Sequence, residues 1–188
     1  MPRAGLTRDV VVGEAARLID ERGLEGLSLA VLAESLGVRV PSLYKHVEGM
    51  PALRREVMLA AKSSFQEALA NAGVGRSGAE AITAISQAYR AWALQHPGRY
   101  PMTMPAPVPG DEQDTAISAA LVDVLLRVLA AYGLEGDDAV DAVRFVRASL
   151  HGFVALETGG GFALPVDLER SYLRLVGSVV TALSAWKS

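Results

Sequence analysis

The chain has 188 residues, a formal net charge of −3 and no cysteine. That excludes a disulfide framework, a thiolate nucleophile and a zinc–thiolate centre, and it fits a reducing, cytoplasmic setting. The start, MPRAGLTRDVV, lacks the apolar centre of a secretory signal, and no uninterrupted apolar run of about eighteen residues marks a membrane span. Alanine and leucine are abundant and strand-like alternation is scarce, so an all-α fold is expected. A chain of this size buries roughly 70% of its unfolded surface and needs no metal or cross-link to hold its core. Charge is unevenly spread: residues 1–62 carry nine Lys and Arg against eight Asp and Glu, leaving +1, while the remainder is −4.

Thr7 is placed to cap a first helix running to about Arg22, with Val11, Ala15 and Leu18 in one row and Val12, Ala16 and Ile19 beside it. Gly23 and Gly26 separate it from the next element. Arg3 and Arg8, at its start, read either as contacts to a nucleic-acid backbone or as solvated charges.

The stretch Ser28–Val47, SLAVLAESLGVRVPSLYKHV, reads as helix, tight turn and second helix. Ser28 is an N-cap residue whose hydroxyl can accept an orphan backbone N–H. Leu29, Leu32, Ala33 and Leu36 follow at helical spacing, and Gly37 stands where a left-handed residue ends a helix. Pro41 suits the first turn of the next helix, where its missing N–H has no intrahelical partner. At about 100° per residue, Val40, Leu43, Tyr44 and Val47 share one face, with Tyr44 at its rim, and Pro41, Ser42, Lys45 and His46 share the other. The second face offers a hydroxyl, an ammonium, an imidazole and an apolar ring, a set suited to phosphates, base edges and thymine methyls. It is equally the solvated side of any short amphipathic helix, and spacing alone leaves both readings open.

The same residues resemble the DNA-binding unit of the tetracycline-repressor (TetR) family of bacterial regulators. The likeness is carried by LxLAxLAxxLGV from Leu27 to Val38, then by Pro41, Ser42, Leu43, Tyr44, His46, Val47 and Leu53. It extends back to Ala15, Ala16, Leu18, Ile19 and Gly23. The resemblance implies that the second helix of the motif enters the major groove of double-stranded DNA, with Ser28, Arg39, Val40, Pro41, Ser42, Tyr44, Lys45 and His46 at the interface. Two positions depart from the pattern. Arg39 stands where a small capping residue is usual, and Met50 stands where lysine is frequent. A near-neutral head also implies few phosphate contacts and a shallow salt dependence.

A fourth helix is predicted from about Pro51 to Asn71, with Leu53, Val57, Ala60, Ala61 and Phe65 inward, and Gly73–Arg76 reads as a boundary. Ser77 to Glu80 has the form of a capping box, opening a helix to about Gln95 with Ile82, Ile85, Ala88, Tyr89 and Trp92 inward. The proline-rich run from His96 to Gly110 forbids a long helix. Its Met102 and Met104, with Tyr89 and Trp92 and later Phe145 and His151, read either as an adaptable apolar pocket or as core filler. Asp111–Tyr132 is a predicted helix. Asp137–Asp138 open the next, which from Ala139 to Leu156 is apolar nearly all round and so has to be covered on two sides. After Gly159–Gly161, Asp167 opens a last helix ending near Trp186. The surplus apolar surface suits a symmetric four-helix dimer interface through Phe153, Leu156, Leu175, Val179 and Leu183.

His46, His96 and His151 are the only histidines, and no HExxH, GxSxG or phosphate-loop motif occurs. His96 is expected to favour the helix C-terminal dipole. The sequence therefore predicts no enzyme, no cofactor, no metal site and no membrane partner. It predicts a three-helix DNA-binding head over residues 1–50, a linking helix over 51–72, and a regulatory, ligand-binding and dimerisation domain over 76–188. The expected function is that of a homodimeric, cytoplasmic repressor released from a palindromic operator by a small apolar or amphipathic effector.

Overall fold

The structure, a computed structural model, describes residues 5–186; among these the regular elements are eight α-helices and three short 3-10 turns, with no strand. The all-α expectation is met. The chain packs as two compact units. One comprises the chain through Ser63 together with His96–Ala106, and the other Ser64–Gln95 together with the chain from Pro107 onward.

In the first unit α1 (Arg8–Arg22) starts at Thr7, whose Oγ1 accepts the Val10 N–H at 3.2 Å. A 3-10 turn, Leu24–Gly26, leads to α2 (Leu29–Leu36), α3 (Val40–Leu43) and the first half of α4 (Met50–Gly73). Val11, Leu18, Ile19, Leu32, Leu43, Leu53 and Val57 are completely buried together. On the rim, Arg17 Nη2 donates to Ser35 Oγ at 3.2 Å and Ser35 donates to Glu14. The Arg17 guanidinium holds the Glu14 carboxyl below its ordinary range, with Ser35 assisting.

The proline-rich segment belongs to this unit. Asp20, near the end of α1, accepts the Arg99 backbone N–H at 3.0 Å and Arg99 Nε at 2.7 Å. His96 Nδ1 lies 3.2 Å from the same carboxylate, a partner far along the chain. Gly98 presses on α1 so closely that a Cβ there would stand 1.9 Å from the Ile19 carbonyl oxygen. Lys62 is buried and donates to the Pro105 carbonyl at 3.0 Å. Met102 packs against the head's core.

In the second unit α5 (Gly78–Gln95) packs against α6 (Glu112–Leu129), α7 (Gly136–Thr158) and α8 (Leu168–Ser184). Phe65, from the second half of α4, meets Tyr89 edge-on and Trp92 at a tilt, each with ring centroids 4.9 Å apart. Trp92 Nε1 donates to Ser64 Oγ at 3.1 Å. Arg90 ties the far end of the unit: it donates two hydrogen bonds of 2.7 Å to Glu157 on α7, pairs with Glu169 on α8, and lies 5.1 Å above the Tyr172 ring. The Tyr172 hydroxyl donates to the Ser86 carbonyl at 2.5 Å. Glu112–Tyr132 is long and apolar enough by composition to cross a membrane, with a mean hydropathy of 1.7, although no uninterrupted apolar run occurs there. Only 22% of its most apolar stretch is buried.

Candidate nucleic-acid interface

The helix–turn–helix is built as its sequence demands at both ends of α2. Ser28 is extended and its Oγ accepts the Val31 N–H at 3.2 Å. Gly37 closes the helix at φ 65° and ψ 31°, and the Val38 N–H bonds back to the Ala33 carbonyl at 2.9 Å. Only glycine takes that left-handed conformation without cost to a Cβ.

The second helix is shorter than its periodicity predicts. α3 is a single turn, and Tyr44–His46 continue it as an irregular turn in which the His46 and Val47 N–H groups share the Leu43 carbonyl, at 2.8 and 3.0 Å. Arg39 precedes it without a side-chain cap, and so short a helix gains little from propagation. It is held instead by burial of Leu43 and Val47, with Val40 half-buried on the same core.

That anchoring turns the remaining side chains outward. Arg39, Pro41 and Lys45 are exposed, and Ser42 and His46 are half-buried. Tyr44, placed by periodicity at the rim of the packed face, is 58% exposed and joins the outward flank. Beside it lies a cleft of about 540 Å³ lined by Arg8, Tyr44, Lys45, His46, Val47, Glu48, Ala52, Arg55 and Glu56. Arg55 and Glu56 were not among the expected interface residues; the basic pair Arg54–Arg55 just after the motif is the signal that points to them. Arg8 lines the cleft, whereas Arg3 lies outside the described residues.

The residues expected to line an effector pocket divide between the units. Tyr89 and Trp92 sit with Phe65 in the buried aromatic cluster, Phe145 stacks on Trp186 with centroids 5.3 Å apart, and His151 is half-buried. Met102 and Met104 fall in the head unit instead, because the segment that carries them is clasped to α1.

The residues expected at a dimer interface also divide. Leu156 is 51% exposed, Leu175 is half-buried, and Phe153 is half-buried between the Phe162 and Tyr172 rings. Val179 and Leu183 are only 1% and 2% exposed, so they fill the protomer's own core. The outward rows are Ala148, Gly152 and Ala155 on α7, and Leu173, Gly177, Thr181 and Ser184 on α8.

Comparison with known proteins agrees with this anatomy. Residues 12–57 match the family described as "Bacterial regulatory proteins, tetR family", and residues 82–179 match "Tetracyclin repressor-like, C-terminal domain". An uncharacterised HTH-type transcriptional regulator of Mycobacterium tuberculosis, Rv0681, is 36% identical over 84% of this chain and 72% of its own length. The uncharacterised HTH-type regulator YobS of Bacillus subtilis is 31% identical over 90% of this chain and 88% of its own. Among solved structures, a variant of TetR from Acinetobacter baumannii AYE in complex with minocycline superposes with a TM-score of 0.73, at 19% identity, covering 98% of this chain and 99% of that one. The matched domains and the two relatives leave one conclusion: the chain belongs to the TetR family of bacterial transcriptional regulators, which are not enzymes, and its helix–turn–helix head is a DNA-binding domain.

Proposed function

We propose that the protein is a homodimeric repressor, acting in the cytoplasm, that binds a palindromic operator through Ser28, Arg39, Val40, Pro41, Ser42, Tyr44, Lys45 and His46. The observation that carries this reading is the outward flank of Pro41, Tyr44 and Lys45, fixed in place by the buried pair Leu43 and Val47. One short head reads too few base pairs to specify a site, and two heads about 34 Å apart read successive major grooves. The outward rows of α7 and α8 support pairing, because small residues let helix backbones approach closely.

Release by a small apolar or amphipathic effector in the second unit, near Tyr89, Trp92, Phe145 and His151, completes the proposal. A structural neighbour holds minocycline, and a ligand that prefers the state with misplaced heads shifts the population by its differential affinity. The test is selection of duplexes from a random library by the purified chain, followed by gel shift with the double variant Tyr44→Ala, Lys45→Ala. The expected result is an enriched palindrome that the variant no longer retains while remaining a dimer. Unchanged retention by the variant would remove the assignment.

A further inference from the structure

The cleft beside the recognition turn has a charge arrangement that base reading does not require. Its walls come from three places: Arg8 at the start of α1, Tyr44–Glu48 after α3, and Ala52, Arg55 and Glu56 on α4. Met50, at the start of α4, packs against the head's core and offers no cation. The positive charge of the cleft is therefore supplied by Arg55, Arg8 and Lys45.

Glu56 organises these groups. Its Oε1 lies 2.5 Å from Arg8 Nη2 and 3.6 Å from Arg55 Nη1. The carboxylate is the sheltered member, 22% exposed, against 60% for Arg8 and 40% for Arg55. One carboxylate oxygen thus draws two guanidiniums from different helices to the same spot. A guanidinium is a planar fork of donors suited to a bidentate anion. A surface pair of this exposure adds little to stability, so the arrangement is better explained by what it presents.

We infer that this cleft seats one backbone phosphate of the bound duplex, held by Arg55, Arg8 and Lys45, with Glu56 as a positioning residue that keeps the guanidiniums converged. The inference rests on the DNA-binding reading above. The anion is assigned to duplex backbone because the cleft shares Tyr44, Lys45 and His46 with the recognition flank. DNA engaged by that flank lays its phosphates against the cleft mouth. Glu56 has a second effect: its own charge opposes any phosphate not placed to engage both guanidiniums, so it lowers affinity for duplex in other registers.

The experiment measures affinity against salt for the full chain, with a duplex enriched by the wild type and a random duplex of equal length. Each phosphate contact contributes roughly 0.9 to the slope of log K on log salt. The double variant Arg8→Ala, Arg55→Ala is expected to flatten that slope by up to about 0.9 per head, about 1.8 per dimer, with the larger change on the enriched duplex, and the pair Arg8→Lys, Arg55→Lys to restore most of it. Glu56→Gln is expected to raise affinity for the random duplex at least threefold and to narrow the ratio between the two duplexes. Wild-type slope in the double variant Arg8→Ala, Arg55→Ala, in a chain that still binds and melts normally, would overturn the inference and leave the DNA-binding reading standing. Failure of the wild type to bind any duplex would overturn both. Displacement of duplex by inorganic phosphate, beyond that by chloride at equal ionic strength, would overturn the assignment in favour of a small-anion site.

Discussion

A single missing Cβ separates two glycines that look alike in the sequence. Gly98 stands so close to α1 that an added Cβ would lie 1.9 Å from the Ile19 carbonyl oxygen and 2.9 Å from the Asp20 Cα. Both are backbone atoms, which no rotamer change relieves. Gly13, inside α1, has nothing within 4 Å of the same position. Gly98→Ala is therefore expected to cost about 1–3 kcal/mol through forced displacement. Gly13→Ala is expected to stabilise by about 0.5–1 kcal/mol through helix propensity. Urea midpoints of the two variants check both signs, and a neutral Gly98→Ala would show that the segment does not sit against α1. Nothing local in HPGRYP announces this contact. His96 and Arg99 find Asp20 across 76 and 79 positions of chain, and periodicity is blind to a pairing of that range.

At the scale of elements, helix starts and stops were the most legible features. Ser28 and Thr7 cap where their hydroxyls predict, Gly37 closes α2, and Asp111 and Asp167 open α6 and α8. Each of those signals is a single residue acting on its own neighbours. The length of α3 was not legible, because the apolar spacing of Val40, Leu43 and Val47 is the same for a helix and for a turn that buries the same residues. The apolar spacing of Tyr172, Val176, Val179 and Leu183 marks one face of α8 as covered, but it does not say whether that face meets its own protomer or a copy. Val179 and Leu183, expected at the dimer interface, lie in the protomer's own core.

The joint between α5 and α8 makes a pH prediction. Burial pushes the Tyr172 phenol above its ordinary value of 10.0, with Tyr89, Glu157 and Glu169 adding to the shift and Arg90 opposing it. The folded state then holds the proton more tightly than the unfolded chain. Its contribution is complete below about pH 10 and is lost as pH rises from there toward the raised folded value. Tyr172→Phe forfeits the hydrogen bond to Ser86, about 1 kcal/mol. It should nevertheless lose less stability than the wild type between about pH 8 and about pH 11. Equal losses in the two chains, read from urea midpoints, would show that this phenol is not the group responsible.

For the molecule as a whole, the proposed dimer is tested where the protomer tolerates change. Gly152 and Gly177 are exposed, on α7 and α8, with nothing within 4 Å of the position a Cβ would take. Gly152→Glu and Gly177→Glu should leave the protomer folded. In a four-helix interface they would bury unpaired charge at a cost of several kcal/mol. Sedimentation should then show monomers with weakened operator binding; a persistent dimer would place the interface elsewhere. Fold class and the reading head were legible from sequence because both depend on local pattern, whereas the division of the chain into units depends on contacts of long range.

The clasp of His96, Gly98 and Arg99 on α1 also bears on modularity. Part of the head's interior, Met102 included, is donated by a stretch that returns after α5. The reading head is thus not a cassette that ends where α4 leaves it. A chimera that exchanges only the N-terminal third would inherit an Asp20 with no arginine to meet and a groove along Ile19 with nothing laid in it. Grafting a new specificity onto this regulator would require carrying residues 96–106 along with the helices that touch DNA.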